Sequence, residues 1–266
     1  GGVGAARELA SATLAAGKSL VTANKEMMAL HGGELWDEAI RGNANLAMEA
    51  SVAGGIPIHT VLREGISGDR IAALHGILNG TCNFILTAME SKGADFTEVL
   101  AEAQRLGYAE ADPSADVDGI DARSKLAILA ALAFGENSTP LYVFTDGNRR
   151  VQKVDFDYAG EIGCTIRLLC TARRTPEGLV LSVRPALVSQ GSILASVRGS
   201  YNGIRVRGDY GEDTFYYGRG AGPLPTGVAI VSDLMRVARE LRQGSPLRVS
   251  PFAHERLGEY KPIPVS

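Results

Sequence analysis

The 266-residue sequence has few cysteines and histidines and lacks long apolar runs. Its three cysteines, Cys82, Cys164 and Cys170, are too few and too scattered for a disulfide framework or a cysteine-based zinc site, and this usage suits a reducing cytoplasm. The four histidines show no spacing typical of metal ligands. No apolar run reaches the roughly 18 residues of a membrane-spanning helix. These absences argue against a disulfide-rich secreted protein and a helical membrane protein.

A strong charge of either sign is also missing, because 27 Lys and Arg balance 30 Asp and Glu to a net charge of −3. The two signs are interspersed, which predicts neither a nucleic-acid groove nor a membrane-binding surface. Glycine, in contrast, is abundant, with 32 residues where about 7% of a chain is usual. No repeat accounts for these glycines, so they indicate turns and places where the backbone approaches something closely.

The densest chemistry lies in residues 107–134, GYAEADPSADVDGIDARSKLAILAALAF. Five acids fall within twelve residues: Glu110, Asp112, Asp116, Asp118 and Asp121. Such a cluster repels itself unless a cation lies within it, and the candidates are Arg123, Lys125, a bound cation or a substrate amine. We expect Asp118 to cap a helix, with Asp121 at its third position reaching back to the open backbone N–H groups.

Lys125 lies where a helix of this kind would normally carry an apolar residue. Its spacing places it on the apolar face with Ile128, Leu129 and Leu132, and Asp121 precedes it by four residues, so the two can pair. A partly buried lysine beside a carboxylate can deliver its proton to a reacting oxygen. The alternative is an ordinary ion pair at a helix start, and the spacing alone leaves both interpretations open.

Two further candidates follow short strands. Lys25 comes after the strand-like SLVT at 19–22 and begins a helix, and ligands of open α/β sheets bind at such positions. A lysine there could meet a phosphate or carboxylate, or be solvated. Glu49 lies near the end of a strand predicted at 45–50 and precedes the glycine-rich turn SVAGGIPI. One carboxylate and several turn carbonyls could bind a hard cation, although an acid that caps a helix is commoner.

The remaining pattern indicates a mixed architecture. A helix is predicted at 57–65 and a strand at 70–78. Asn79 and Gly80 then turn the chain, and Thr81 is expected to cap the next helix. Strand-like runs at 164–174, 179–189, 204–209 and 214–218 predict an antiparallel sheet with one face covered by helices. A glycine turn then leads into a helix with Pro225 near its start and Gly244 at its end. The initial GGVG follows no strand and is a poor dinucleotide-binding fingerprint.

Five segments in order resemble homoserine dehydrogenase: VTANK (21–25), EASVAGGIPI (49–58), GILNGTCNFIL (76–86), LGYAEADPSADVDGIDARSK (106–125) and YGRGAGPLPTG (217–227). The resemblance runs through nearly the whole chain. It implies an NAD(P)-dependent oxidoreductase that reduces L-aspartate 4-semialdehyde to L-homoserine in threonine and methionine synthesis. We therefore expect either NADP or NAD as the cofactor.

The resemblance also implies roles for single residues. It makes Lys125 the proton donor. The substrate-binding acids would be Glu110 and Asp121. The cofactor-contacting residues would be Lys25, Gly107 and Gly222. A sodium site would be formed by Glu49 with backbone oxygens of Val52, Gly54 and Ile56.

The fold that the resemblance implies combines α/β and α+β parts. We expect a partial Rossmann-like nucleotide domain at 1–44, a mixed or antiparallel-sheet substrate and dimerisation domain covered by helices at 45–224, and a C-terminal helix and tail at 225–266 that returns to the nucleotide domain. Because the phosphate-binding turn would lie upstream of residue 1, we expect this chain to bind the cofactor weakly. Partners would be the substrate pair and a second subunit.

Two alternative functions remain open from the sequence. The chain could be a non-catalytic substrate-binding and dimerisation fragment, or a related amino-acid semialdehyde reductase.

Overall fold

The strands of this computed structural model, which describes residues 2–136 and 138–244, form two separate sheets. A short parallel pair consists of β1 (Leu20–Val21) and β2 (Leu46–Ala47), with Leu20 opposite Leu46. The larger sheet contains β3 (Ile71–Ile77), β4 (Phe144–Thr145), β5 (Cys164–Thr175), β6 (Gly178–Ser189), β7 (Tyr201–Gly208) and β8 (Asp213–Arg219). The helices are α1 (Gly4–Ala15), α2 (Lys25–Arg41), α3 (Ile58–Thr60), α4 (Gly80–Lys92), α5 (Phe96–Arg105), α6 (Ser114–Val117), α7 (Ile120–Phe134), α8 (Lys153–Glu161) and α9 (Pro223–Arg242).

The larger sheet has the order β4-β6-β5-β3-β7-β8, and all neighbours are antiparallel except β4 and β6. The β5–β6 hairpin supplies its longest ladder, closed at Thr175 opposite Gly178. Helices α4 and α7 pack on this sheet, and Cys170 and Ala172 of β5 lie in the shared core. The predicted mixed fold, with an antiparallel sheet covered by helices, is confirmed.

Helix α7 forms the centre of the core. Twelve of its fifteen residues are buried, and it contacts α2, β3, β5 and β6. Burial on all sides explains why its sequence is apolar almost throughout, and it also means that any charged side chain on this helix needs a partner inside the protein. The polar start of α7 meets the beginning of α2 and the end of β3, which brings residues far apart in sequence to one place.

Several predicted helix boundaries were wrong. Gly119, with φ +79°, caps α7, while Asp118 ends α6 and binds Arg149 through its carboxylate. Asp121 is therefore the second residue of α7. Asn79, not Thr81, caps α4, because its Oδ1 accepts the N–H of Cys82 at 2.8 Å.

Two short segments also differ from their predictions. The strand predicted at 45–50 is only the two-residue β2, and the chain enters a 3₁₀ turn at Glu49–Ser51. The helix predicted at 57–65 begins as α3 and continues as a π-helical turn over Val61–Gly65, in which the N–H of Ile66 bonds to the oxygen of Val61.

Helix α9 returns from the large sheet to the small one. It contacts β1, β2 and the 3₁₀ turn at Glu49–Ser51. The tail predicted at its end, residues 245–266, lies outside the described residues. Over residues 2–136 and 138–244, no helix combines the length and apolar character required for a membrane crossing.

Candidate active site

The site is organised around the buried carboxylate of Asp121, which is 8% exposed. Its Oδ2 lies 2.7 Å from Nζ of Lys125, one helical turn later on α7. Its Oδ1 lies 2.9 Å from Nζ of Lys25, at the start of α2. The predicted pairing of Lys125 with Asp121 is confirmed, and the strand-to-helix position of Lys25 places a second ammonium on the same carboxylate.

The electrostatics of this triad favour the ionised forms of Asp121 and Lys25. Burial would raise the pKa of Asp121, but the ammonium groups of Lys125 and Lys25 outweigh it and hold the pKa at about 2. For Lys25, burial opposes the charge, yet the carboxylate of Asp121 leaves its pKa above the ordinary value. Two ammonium groups therefore bond to one carboxylate, and an ammonium held in this way favours a transition state in which negative charge develops beside it.

Lys125 has a hydrogen-bonding capacity that its protein contacts do not exhaust. Besides the bond to Asp121, its Nζ donates to the backbone oxygen of Leu78 at 2.9 Å, at the end of β3. An ammonium group has three N–H bonds, so these two contacts leave one for a ligand. The residue as a whole is 8% exposed, which fixes its tip and shields it from bulk water.

Asn79 joins the cluster and was passed over in the sequence as a turn residue. Its Nδ2 donates to Asp121 Oδ2 at 2.9 Å and to Asp116 Oδ1 at 2.7 Å. Asp116, one of the five acids, is thereby linked to the triad. The sequence does contain one signal for Asn79: it is an asparagine directly before a helix, and a side chain at that position can accept the N–H of the third helical residue, here Cys82.

Glu110 and Gly107 lie on the loop that follows α5. Gly107 adopts φ +77°, and both residues are exposed. The loop is anchored beside the site because Thr81 Oγ1 donates to the oxygen of Tyr108 at 2.6 Å, on the first turn of α4. The carboxylate of Glu110 is not hydrogen-bonded to Asp121 or to either lysine, whereas its backbone oxygen accepts from Gln104 at 3.0 Å.

The buried thiols near the site are unsuited to nucleophilic chemistry. Burial raises the pKa of Cys170 to about 12, and it raises the pKa of Cys82 well above its ordinary value. A thiol must be deprotonated to attack, so neither residue is a nucleophile at neutral pH. The reactive group that the geometry offers is the ammonium of Lys125.

Glu49 has a different environment from Asp121, although both carboxylates are buried. Its Oε1 accepts the backbone N–H of His59 at 2.8 Å, and its Oε2 accepts the N–H and hydroxyl of Thr60 at 3.0 and 2.8 Å. These bonds hold the start of a helix, which is the capping explanation left open by the sequence. The sodium role that the resemblance implies for Glu49 stays a prediction.

The backbone oxygens of the same loop differ in the hydrogen bonds that they accept. The oxygen of Ile56 already accepts the N–H of Ile58 at 2.7 Å. Across the described parts of the chain, no three His, Cys, Asp or Glu side chains are grouped so that they could hold a metal ion. The resemblance also implies the backbone oxygens of Val52 and Gly54 as sodium ligands. Neither oxygen accepts a hydrogen bond among the backbone contacts of the described residues.

The two glycine-rich turns pack directly on one another. The N–H of Gly55 bonds to the oxygen of Arg219 at 2.9 Å, and a Cβ on Gly55 would approach that oxygen to 2.7 Å. Gly222, with φ +118°, caps α9 and is exposed. Because Pro223 and Pro225 carry no N–H, this helix end fits the close approach of a flat group better than the binding of a phosphate.

Known proteins similar to this chain cover the residues of this site. The family model described as homoserine dehydrogenase matches residues 57–235. A protein of Neisseria gonorrhoeae named homoserine dehydrogenase is 44% identical over 255 residues, covering 96% of this chain and 59% of the relative. The chain thus spans about three fifths of the length of that relative.

Two solved structures are also similar. A homoserine dehydrogenase from Thiobacillus denitrificans matches with a TM-score of 0.94 and 45% identity, covering 99% of this chain and 62% of that one. A hyperthermophilic archaeal homoserine dehydrogenase in complex with NADPH matches with a TM-score of 0.78 and 31% identity, covering 89% of this chain and 69% of that one.

Proposed function

The chain belongs to the homoserine dehydrogenase family, and we propose that the full-length protein reduces L-aspartate 4-semialdehyde to L-homoserine with NADPH or NADH. The observation that carries the proposal is the buried ammonium of Lys125, held by Asp121 and by the oxygen of Leu78 with one N–H left for a ligand. The NADPH complex of the archaeal relative supports the cofactor class.

Lys125 would act as the proton donor. When bound, the reduced nicotinamide supplies a hydride to the aldehyde carbon. The free N–H of Lys125 stabilises the negative charge that develops on the aldehyde oxygen, and proton transfer breaks this N–H bond and forms the alcohol O–H. Since two acceptors fix the ammonium, little reorganisation is needed at that moment.

Asp121 would orient the two lysines. Its oxygens already accept from Lys25, Lys125 and Asn79, so they favour this role over direct binding of the substrate ammonium. Glu110 keeps the substrate-binding role that the resemblance implies, and we add Asp116, which Asn79 links to the cluster. Two carboxylates around an α-ammonium group would select an amino-acid aldehyde over a simple one.

Lys25, Gly107 and Gly222 are the proposed cofactor contacts. Lys25 has a side chain that is 37% exposed at the beginning of α2, so its tip can reach a ligand without leaving Asp121. The positive φ angles of the two glycines allow the backbone to approach a planar group closely. The sodium ion implied by the resemblance would depend on backbone oxygens, principally those of Val52 and Gly54, since the Glu49 carboxylate is engaged.

We further propose the domain assignment of 1–44 and 225–266 to the nucleotide domain and of 45–224 to the substrate domain, in support of which α9 contacts β1 and β2. A homodimer in the cytoplasm is proposed with it. The stacked rings of Tyr201 and Tyr217, with centroids 5.0 Å apart, offer a partly exposed aromatic surface on the large sheet that would suit a second subunit.

The proposal is tested by following NADPH oxidation by the full-length protein. L-Aspartate 4-semialdehyde should be reduced, whereas succinate semialdehyde, which lacks only the α-ammonium group, should react at least about tenfold more slowly because the carboxylates lose their partner. Equal rates would remove the carboxylates from substrate selection. A preference for the aldehyde one methylene longer would favour a related semialdehyde reductase.

The second candidate function is a substrate-binding fragment without catalysis. Calorimetric titration of the 266-residue chain with homoserine and with NADP separates the cases. Binding of both ligands supports an enzyme, and binding of homoserine alone supports a fragment that binds substrate.

A further inference from the structure

The side chain of Asn79 is bound on every side at the centre of the active-site cluster and is 4% exposed. Its Oδ1 accepts from Cys82 N–H at 2.8 Å, while its Nδ2 donates to Asp116 and Asp121. An N–H on one side and two carboxylates on the other determine which end of the amide is nitrogen. The amide is therefore held in one orientation.

We propose that Asn79 is a positioning residue, whose amide fixes the Asp121 carboxylate so that Lys125 is presented to the substrate; this inference rests on the proposed function. The amide and the Lys125 ammonium share one oxygen, Asp121 Oδ2, at 2.9 and 2.7 Å. The other oxygen binds Lys25. Without Asn79, only the tips of two long side chains would restrain the carboxylate.

The turn that contains Asn79 controls Lys125 from a second direction. The preceding residue, Leu78, provides the oxygen that accepts from Lys125 Nζ at 2.9 Å. Two adjacent residues at the end of β3 thus hold the ammonium, one directly and the other through Asp121. A change at Asn79 that keeps the turn should leave the Leu78 bond in place and loosen only the carboxylate.

Helix capping does not explain why this residue is an amide. Ser, Thr or Asp would cap α4 as well as Asn does. Asp, however, would place a third carboxylate against Asp116 and Asp121, and Ser would supply no donor of the same reach. The two donors of Nδ2 are the property that the cluster requires and that capping does not use.

The test compares Asn79→Ser and Asn79→Asp with Asn83→Ser. Asn83 lies one turn later on α4, is equally buried, and donates its amide to the backbone oxygens of Val197 and Gly199, away from Asp121. Both Asn79 variants keep a capping oxygen, so α4 should form. The readouts, measured on the full-length protein, are kcat, KM and the titration of Asp121 followed by NMR of ¹³C-labelled aspartate carboxyls.

We expect Asn79→Ser to lower kcat by about tenfold or more with a smaller change in KM, because the loss falls on the orientation of the proton donor. The Asp121 titration should move to higher pH, further in Asn79→Asp than in Asn79→Ser. Asn83→Ser should lower thermal stability and leave kcat and the titration at their wild-type values.

The outcomes separate this inference from the proposed function. If the wild-type protein is active and Asn79→Ser matches Asn83→Ser in both kcat and titration, Asn79 only caps the helix and the inference is overturned alone. If the wild-type protein reduces no semialdehyde, the proposed function fails and the catalytic role of Asn79 fails with it.

Discussion

Asp121 and Glu49 are both buried carboxylates, at 8% and 6% exposure, yet their partners differ in kind. The ammonium groups of Lys25 and Lys125 neutralise Asp121. Backbone N–H groups of His59 and Thr60, with the Thr60 hydroxyl, satisfy Glu49. Asp121 is thus bonded to two ammonium groups, whereas Glu49 is bonded to backbone N–H groups and a hydroxyl.

This difference separates the proposed reactive site from a structural carboxylate more clearly than burial does. A lysine that uses two of its three N–H bonds still has one to offer, whereas a backbone N–H that bonds to a carboxylate has none left. The bonds of Glu49 also tie the 3₁₀ turn to the start of α3, and its own N–H bonds to Asp233 of α9 at 2.8 Å. Glu49 therefore joins three chain segments through its hydrogen bonds.

The largest contrast should appear in turnover. Asp121→Asn should lower kcat by about 100-fold, because Lys125 loses the counter-charge that holds it. Glu49→Gln should leave kcat within about threefold of wild type when it is normalised to folded protein. Steady-state kinetics with aspartate semialdehyde and NADPH measure both. A similar decrease in kcat in the two variants would show that the carboxylates of Asp121 and Glu49 do not differ in this way.

The next effect concerns stability. Glu49→Gln should lower the free energy of unfolding by about 1–3 kcal/mol, because the amide end of Gln cannot accept the hydrogen bonds that one carboxylate oxygen accepted. Glu102→Gln, which breaks the surface pair with Lys92, is the control and should cost less than about 1 kcal/mol. Urea unfolding compares them. A Glu49 variant as stable as this control would contradict the capping role.

A comparable effect is expected in acid. The folded pKa of Asp121, about 2, lies below its usual 3.8, so its ionisation stabilises the fold above pH 4, and this stabilisation is lost as the pH falls towards 2. The loss should be about 2 kcal/mol. Unfolding of wild type and Asp121→Asn between pH 5 and 2 should show a shallower decline in the variant. Parallel curves would mean that Asp121 titrates normally.

The smallest effect involves sodium. Since the Glu49 carboxylate bonds to the protein, the destabilisation by Glu49→Gln should be the same, within about 0.5 kcal/mol, in sodium chloride and in choline chloride. Unfolding at matched ionic strength tests this. Destabilisation seen only in sodium chloride would return Glu49 to the cation site that the resemblance implies.

The sequence predicted the part of the site that is local. The Lys125–Asp121 pair follows from a four-residue spacing on one helix, and the conflict between a lysine and its apolar neighbours indicated burial. Lys25 was found from its strand-to-helix position, but its bond to Asp121 joins residues 96 positions apart and follows from packing of α2 against α7. No spacing rule predicts such a contact.

The predicted helix caps were wrong where two neighbouring residues could each cap the same helix. Asp118 and Gly119 could each precede α7, and Arg149, 31 residues away, drew the Asp118 carboxylate to itself. Thr81 and Asn79 could each cap α4, and the carboxylates around Asn79 come from α6 and α7. In both cases a tertiary partner decided between equivalent caps, and that information is absent from a short window.

The most direct test of the account is the kcat of Lys125→Ala, measured beside Lys92→Ala, which removes an equally long side chain from an exposed ion pair. We predict that Lys125→Ala lowers the kcat of semialdehyde reduction by about 1,000-fold or more while homoserine still binds, and that Lys92→Ala retains wild-type activity. A folded Lys125→Ala protein with near-normal turnover would show that this ammonium does not deliver the proton.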